Sequence, residues 1–134
     1  MRVGAAIQAG LAYFVGVFAC GFVLGTVRTL WLEPAYGKLI AVAIEAPFIL
    51  AASWIVCGVV IARVRLGPGL PTRLVMGLSA LVFLFVAEAG LAIGLFERTP
   101  TEFATDLVSP SGMLGLAGQV VYALFPALQR GQAR

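Results

Sequence analysis

This sequence predicts an all-α membrane protein, a bundle of four transmembrane helices. Three observations point there. Apolar residues make up 61% of the 134 and charged residues only 11%, against about 25% charged in a soluble domain. Such a chain has too little polar surface to cover a globule in water. The apolar residues fall in four stretches, about 4–28, 39–63, 72–96 and 108–128, each close to the roughly 20 residues that cross a hydrocarbon core about 30 Å thick. Between them lie short segments rich in proline, glycine and charge. The length accommodates one small integral domain covering the whole chain.

The first stretch runs from Gly4 to Val27, with Gln8 as its only strongly polar side chain. A secretory signal peptide would have a shorter apolar run, a more basic start than Arg2 alone and a small-residue cleavage site, so this stretch is expected to remain as a span. The segment Arg28-Thr29-Leu30-Trp31-Leu32-Glu33-Pro34-Ala35-Tyr36-Gly37-Lys38 follows. Trp31 and Tyr36 are amphipathic rings suited to headgroup depth and are read as interfacial anchors. Pro34 and Gly37 mark a turn.

The second span, LIAVAIEAPFILAASWIVCGVVIAR, holds Glu45 and Pro47 well below its start. Proline inside a helix cannot donate to the carbonyl four residues back, here Ala43. A kink and a spare acceptor two residues from Glu45 are predicted, and freed carbonyls of this kind line cavities in membrane proteins. The breaker-rich loop Leu66-Gly67-Pro68-Gly69-Leu70-Pro71 leads into the third span. After it, Thr99 with Glu102 three residues on resembles a capping box, and Pro100 fits the first turn. This predicts a short interfacial helix through Leu107. Ser109-Pro110 repeats the signal and opens the fourth span, which ends near Leu128 ahead of the polar tail 129–134.

Charge sets an orientation. One side carries Arg2, Arg63, Arg65, Arg73, Arg130 and Arg134; the other carries Arg28, Lys38 and Arg98 together with Glu33, Glu97, Glu102 and Asp106. The excess of cations on the first side predicts that both termini are cytoplasmic.

Helical spacing gives each span a smaller or more polar stripe. Gly21, Gly25 and Arg28 share one face of the first span, where small residues let another helix approach. Glu45 shares a face with Ala52 and Ser53, and Glu88 with Ala80 and Gly77. Gly112, Gly115, Gln119 and Tyr122 align on the fourth span, with Gln119 suited to an interhelical hydrogen bond. Such stripes are expected to face inward, because lipid does not tolerate carboxylates. At 1.5 Å per residue Glu45 and Glu88 each lie about 10 Å below the outer surface, and Arg28 ends its span on that side. The sequence therefore predicts a buried polar cluster of Arg28, Glu45 and Glu88, structural glue on one reading and a solute pathway on the other.

Several classes are excluded. The chain has no histidine, no nucleophile beside a base, no phosphate-binding glycine loop and no metal-ligand spacing. No enzyme, no cofactor and no metal is expected. Cys20 and Cys57 differ in depth by roughly 16 Å on the predicted topology, too far for a disulfide. The net charge of +3 is spread over span ends, so nucleic acid is not a partner. The expected partners are the lipid bilayer and either further copies of the chain or another membrane protein.

The run Arg28 to Gly37 followed by Glu45-Ala46-Pro47 resembles a pattern in small four-span proteins of bacterial inner membranes, carried as hypothetical proteins. The resemblance extends over most of the chain. It implies an inner-membrane location and no activity. The leading expectation is a non-enzymatic accessory or scaffold subunit. The alternative is a small oligomeric channel or transporter for protons, cations or a small polar solute, with its track past Glu45, Glu88 and Arg28.

Overall fold

The protein is described by a computed structural model over residues 3–129. It is helical throughout, with no strand among the described residues. The helices are α1 (Val3–Tyr36), α2 (Lys38–Val64), α3 (Leu70–Leu95), α4 (Pro100–Leu107) and α5 (Pro110–Leu128). All but α4 are long and apolar enough to cross a membrane, and the chain is an all-α four-helix bundle of multi-pass type. Large apolar side chains such as Phe48, Ile55, Leu78 and Val86 point outward, as a bundle solvated by acyl chains requires.

Order around the bundle follows from the connections. Gly37 alone joins α1 to α2, so these helices must be antiparallel neighbours. Its φ of 85° lies where only glycine goes without strain. The link between α2 and α3, residues 65–69, is longer and contains Gly67-Pro68-Gly69. Five extended residues reach roughly 17 Å, more than the diagonal of a square of helices about 9 Å apart. The chain uses that reach: α1 and α5 each pack on both α2 and α3. Helices α2 and α3, consecutive in sequence, therefore stand opposite one another.

The first connection corrects the sequence reading. The chain does not leave the helix at Arg28 or turn at Pro34; it continues helically to Tyr36 through a π-helical turn at Arg28–Leu32. Pro34 removes the donor that Leu30 would otherwise receive from it, and the ladder widens to an i→i+5 pattern over this same stretch, with Glu33 N–H donating to the Arg28 carbonyl. A second π turn, Leu91–Leu95, ends α3. The capping box on α4 is present in both directions: Thr99 N donates to Glu102 Oε1 at 2.9 Å and Glu102 N to Thr99 Oγ1 at 3.1 Å. Ser109 caps α5 through Gly112 N at 3.1 Å. Helix α4 docks on α3 through Phe103 against Phe85, ring centroids 5.8 Å apart.

Packing is uneven along the bundle. The end bearing the 65–69 loop, called here the Gly67 end, is close-packed; the other, the Gly37 end, is not. On α1 the buried residues are Ala6, Ala9, Gly10, Tyr13 and Val17, and none lies beyond. On α3 they are Arg73, Met76, Gly77, Ala80 and Leu84, and none lies beyond. Small residues make the tight half possible. A β-carbon on Gly77 would overlap the Ala123 carbonyl oxygen, and one on Gly10 would overlap Ser79 Oγ. Hence α3 meets both α1 and α5 backbone to backbone.

Arg73 holds this half shut. The sequence assigns it to orientation; the structure buries it completely. Its Nε donates to the Gly67 carbonyl at 2.9 Å, Nη1 to the Pro126 carbonyl at 2.8 Å and Nη2 to the Leu66 carbonyl at 3.4 Å. The last carbonyls of a helix lack internal donors and carry partial negative charge. A guanidinium at the end of α5 meets that need while tying the 65–69 loop down. Gln129 adds a bond from Nε2 to the Trp54 carbonyl at 2.8 Å. Arg2, Arg130 and Arg134, three of the cations behind the predicted orientation, lie outside the described residues.

Candidate functional site

The bundle is sealed at mid-height by two tyrosines. Pro126 lies inside α5 and supplies no N–H, so the Tyr122 carbonyl four residues back has no helical donor. Tyr13 fills the gap from α1: its hydroxyl donates to that carbonyl at 2.7 Å, and the two rings stack with centroids 4.5 Å apart. The Tyr122 hydroxyl donates in turn to the Ala80 carbonyl on α3, at 3.2 Å. Both rings are buried. A proline on one helix thus produces a cross-bundle plug tying three helices together.

Above the plug, in the Gly37 half, lies a cavity of about 730 Å³. Its floor includes Val17, Ser53, Leu84 and Tyr122, and its lining continues to Leu30, Lys38 and Phe96 at the exposed end. From Lys38 to Ser53 along α2 is roughly 22 Å, somewhat over half of that helix. The walls are mostly apolar, with Phe18 and Phe22 from α1, Leu91 from α3, Phe103 from α4 and Leu116 from α5. Into this apolar space project Arg28, Glu45, Glu88 and Gln119.

All three members of the predicted ionic cluster line the cavity, but they do not form one cluster. Arg28 donates from Nη1 to Glu45 Oε1 at 3.3 Å and from Nε to Glu33 Oε2 at 3.1 Å. Glu33 is a partner the sequence reading placed in the surface loop. In a regular α-helix, residues five apart diverge by about 140° around the axis. The π turn brings them into register, so the widened turn at Arg28 is what makes this pair. Glu88 makes no direct ion pair with Arg28, although that charge acts on it from a distance. Its partner is Gln119, whose Nε2 donates to Glu88 Oε1 at 2.6 Å. One carboxylate is ion-paired across α1 and α2, while the other is bridged by a neutral amide between α3 and α5. Two buried acceptors remain without a donor, Glu45 Oε2 and Gln119 Oε1. Asp106, also on the lining, is ion-paired with Arg98.

The other predicted positions fall as follows. Gly21 and Gly25 were expected at a tight helix contact; they line the cavity instead. A β-carbon on Gly21 would meet only Ile49 Cδ1, at 3.6 Å, and one on Gly25 only Arg28 Nη2, at 3.8 Å. The small residues there keep space open. Pro47 lies within an uninterrupted α2 and faces outward with Ala43; neither lines the cavity, so the predicted link between that proline and Glu45 is not made. Trp31 and Tyr36 are exposed at the Gly37 end. Tyr122 sits in the plug and Gln119 bridges helices. Among the described residues no group of three or more His, Cys, Asp or Glu is placed to hold a metal, and both cysteines are free.

Sequence reasoning missed Tyr13, Glu33 and Arg73. A signal toward Tyr13 was available: Pro126 frees a carbonyl four residues back just as Pro47 does, and that carbonyl belongs to Tyr122, which needs a donor. Comparison with protein-family models, with curated proteins and with solved structures finds no match to this chain. What the protein does must be read from its cavity.

Proposed function

We propose that this protein is a non-enzymatic solute-binding membrane protein of transporter or channel type. Its ligand enters the hollow half from the Gly37 end and stops at the Tyr13–Tyr122 pair. The observation that carries this reading is the asymmetry of the bundle. One half is packed to backbone contact and latched by Arg73; the other borders an open-ended cavity of about 730 Å³, into which Arg28, Glu45, Glu88 and Gln119 project. Binding sites for small molecules are typically about 300–1,000 Å³, largely apolar, with a few placed polar groups. A protein whose four spans served only as glue would gain stability by closing such a space. Passage across the bilayer requires the tyrosine pair to part and the Arg73 latch to loosen. On the charge count the Gly37 end faces outward and the termini are cytoplasmic; the chain's place is a bacterial inner membrane.

The test is thermal unfolding of the purified protein against a panel of small anionic, neutral and cationic amphiphiles. A ligand at a hundred times its Kd stabilises by about 2.7 kcal/mol. The reading expects at least one class to raise Tm in wild type and to lose its effect in Gly115→Leu. Gly115 lines the cavity with open space around it, so leucine there fills the site without a clash. A panel that shifts wild type and Gly115→Leu alike contradicts it.

A second reading, the accessory subunit, draws on Gly90 and Gly94. Both are exposed on α3, and a β-carbon on either would meet nothing within 4 Å. This leaves a bare strip where a partner helix can approach. It expects a stoichiometric partner or a homo-oligomer after extraction in mild detergent; a clean monomer across several detergents counts against it.

A further inference from the structure

We infer that the ligand of the hollow half is an organic ammonium ion with a short apolar body, its head seated at Glu88 and Gln119. This rests on the cavity being a binding site, as proposed above. Charge and acceptors are both unmatched at this seat. Each other carboxylate on the lining has a cation: Arg28 serves Glu45, and Arg98 serves Asp106. Glu88 has no ion pair: its hydrogen bond comes from the Gln119 amide, and Arg28 acts on it only from a distance. Because that amide spends its nitrogen on Glu88, its oxygen stands close to the same carboxylate, buried and without a donor. The seat therefore presents a carboxylate without an ion pair and an amide oxygen without a donor, and its one remaining donor is the second N–H of the Gln119 amide. Glu45 Oε2, on the same lining, also lacks a donor. An anion seated at Glu88 would face its carboxylate directly, while the cations of the lining, Arg28 and Lys38, make no hydrogen bond there. An ammonium head carries positive charge and several N–H donors, which is what the carboxylate and the amide oxygen lack.

Volume decides the rest of the ligand. A proton would neutralise Glu88 and let its own O–H serve the Gln119 oxygen, but it would leave the cavity itself unfilled. A bare metal ion would leave nearly all of the 730 Å³ empty. The space beside the head is walled by Phe18, Phe22, Leu84 and Leu116, surface that takes an alkyl or aromatic body.

The experiment is scintillation-proximity binding of radiolabelled hexylammonium to the purified protein in phosphatidylcholine nanodiscs, counted over empty discs. Unlabelled hexylammonium, hexanol and hexanoate serve as competitors. The inference expects saturable binding, displaced by hexylammonium and at least tenfold less well by hexanol or hexanoate. Glu88→Gln should weaken it at least tenfold, and Gly115→Leu should abolish it. Hexanol or hexanoate competing as well as the ammonium overturns the ligand class and leaves the binding cavity standing. Unchanged binding in Glu88→Gln overturns the seat at Glu88. No saturable hexylammonium binding to wild type overturns the ligand class, and the thermal-unfolding panel with Gly115→Leu then decides the cavity reading. Should Glu88→Gln fail to elute as a folded species, the competitor series on wild type decides alone. Discs containing phosphatidylethanolamine separate two sources of the same chemistry. A right-shifted curve assigns the ammonium to a lipid headgroup, an unshifted one to a free amine, and both support the class.

Discussion

The plug rests on an exchange of donors, and that exchange can be measured. Pro126 leaves the Tyr122 carbonyl without its helical N–H, and the Tyr13 hydroxyl replaces it at 2.7 Å. Tyr13→Phe keeps the ring stacking and removes the hydroxyl. A buried carbonyl left without a donor costs about 1–3 kcal/mol in water-soluble proteins, and bonds between helices in a membrane average nearer 0.6 kcal/mol with a maximum near 1.7. The expected loss is therefore about 1 kcal/mol. Pro126→Ala restores the helical donor at the cost of a small void, because the ring is fully buried. In the double variant the alanine N–H serves the carbonyl, and the missing hydroxyl matters less. The two losses should fall short of adding by about 0.5–1 kcal/mol in a double-mutant cycle. Equilibrium unfolding in mixed detergent micelles, followed by reaction of the buried Cys57 thiol in a Cys20→Ala background, supplies the four stabilities. Strict additivity would refute the donor exchange and reduce the tyrosine pair to ring packing.

Three further outcomes follow from other contacts. Gly77→Ala places a β-carbon on the Ala123 carbonyl oxygen, so α3 and α5 must separate; the loss should be about 1–3 kcal/mol and should exceed that of Gly90→Ala, where space is open, by the same unfolding assay. Arg73→Met leaves the Gly67, Leu66 and Pro126 carbonyls without their donor, and about 1–3 kcal/mol is expected for each that stays buried and unpaired, together with new protease cleavage in the 65–69 loop; resistance equal to wild type would show the latch to be idle. On α4, hydrogen bonds from the Thr99 backbone and side chain hold the Glu102 carboxyl below the ordinary glutamate range. Its pKa is depressed in the folded state, so the capping box is complete above that range and is lost as pH falls through the lowered value. The Thr99 amide resonance should titrate with it, and Glu102→Gln should abolish the titration.

The sequence carried the span count, both proline-led caps and the inward stripes, because each rests on local chemistry: apolar length, a serine or threonine before proline, helical spacing. It also placed Arg28, Glu45 and Glu88 at one level. What it did not carry depends on which helices face each other. Glu88 lies on α3 and Glu45 on α2, and those helices stand diagonally because the 65–69 loop is long enough to cross the bundle; one cluster became two bridges. Gly21 and Gly25 read as a contact because small residues signal close approach, yet the same smallness leaves room when no helix arrives. Arg73 read as a topology signal because its position next to a loop says nothing of the α5 carbonyls brought over it by folding. The π turn that pairs Arg28 with Glu33 has no periodic signature of its own, and only the awkward position of Pro34 hints at it.

Everything proposed for the protein depends on a bundle that is hollow to one side of the tyrosine pair and sealed on the other. Thiol labelling tests this most directly, with a membrane-impermeant methanethiosulfonate applied to each face of sealed membrane vesicles in a Cys20→Ala background. Gly115→Cys, on the cavity wall, should react from the Gly37 face only, while native Cys57, buried below the plug, should stay unlabelled from both. Labelling of Cys57 at the rate of Gly115→Cys, or no labelling of Gly115→Cys from either face, would contradict it.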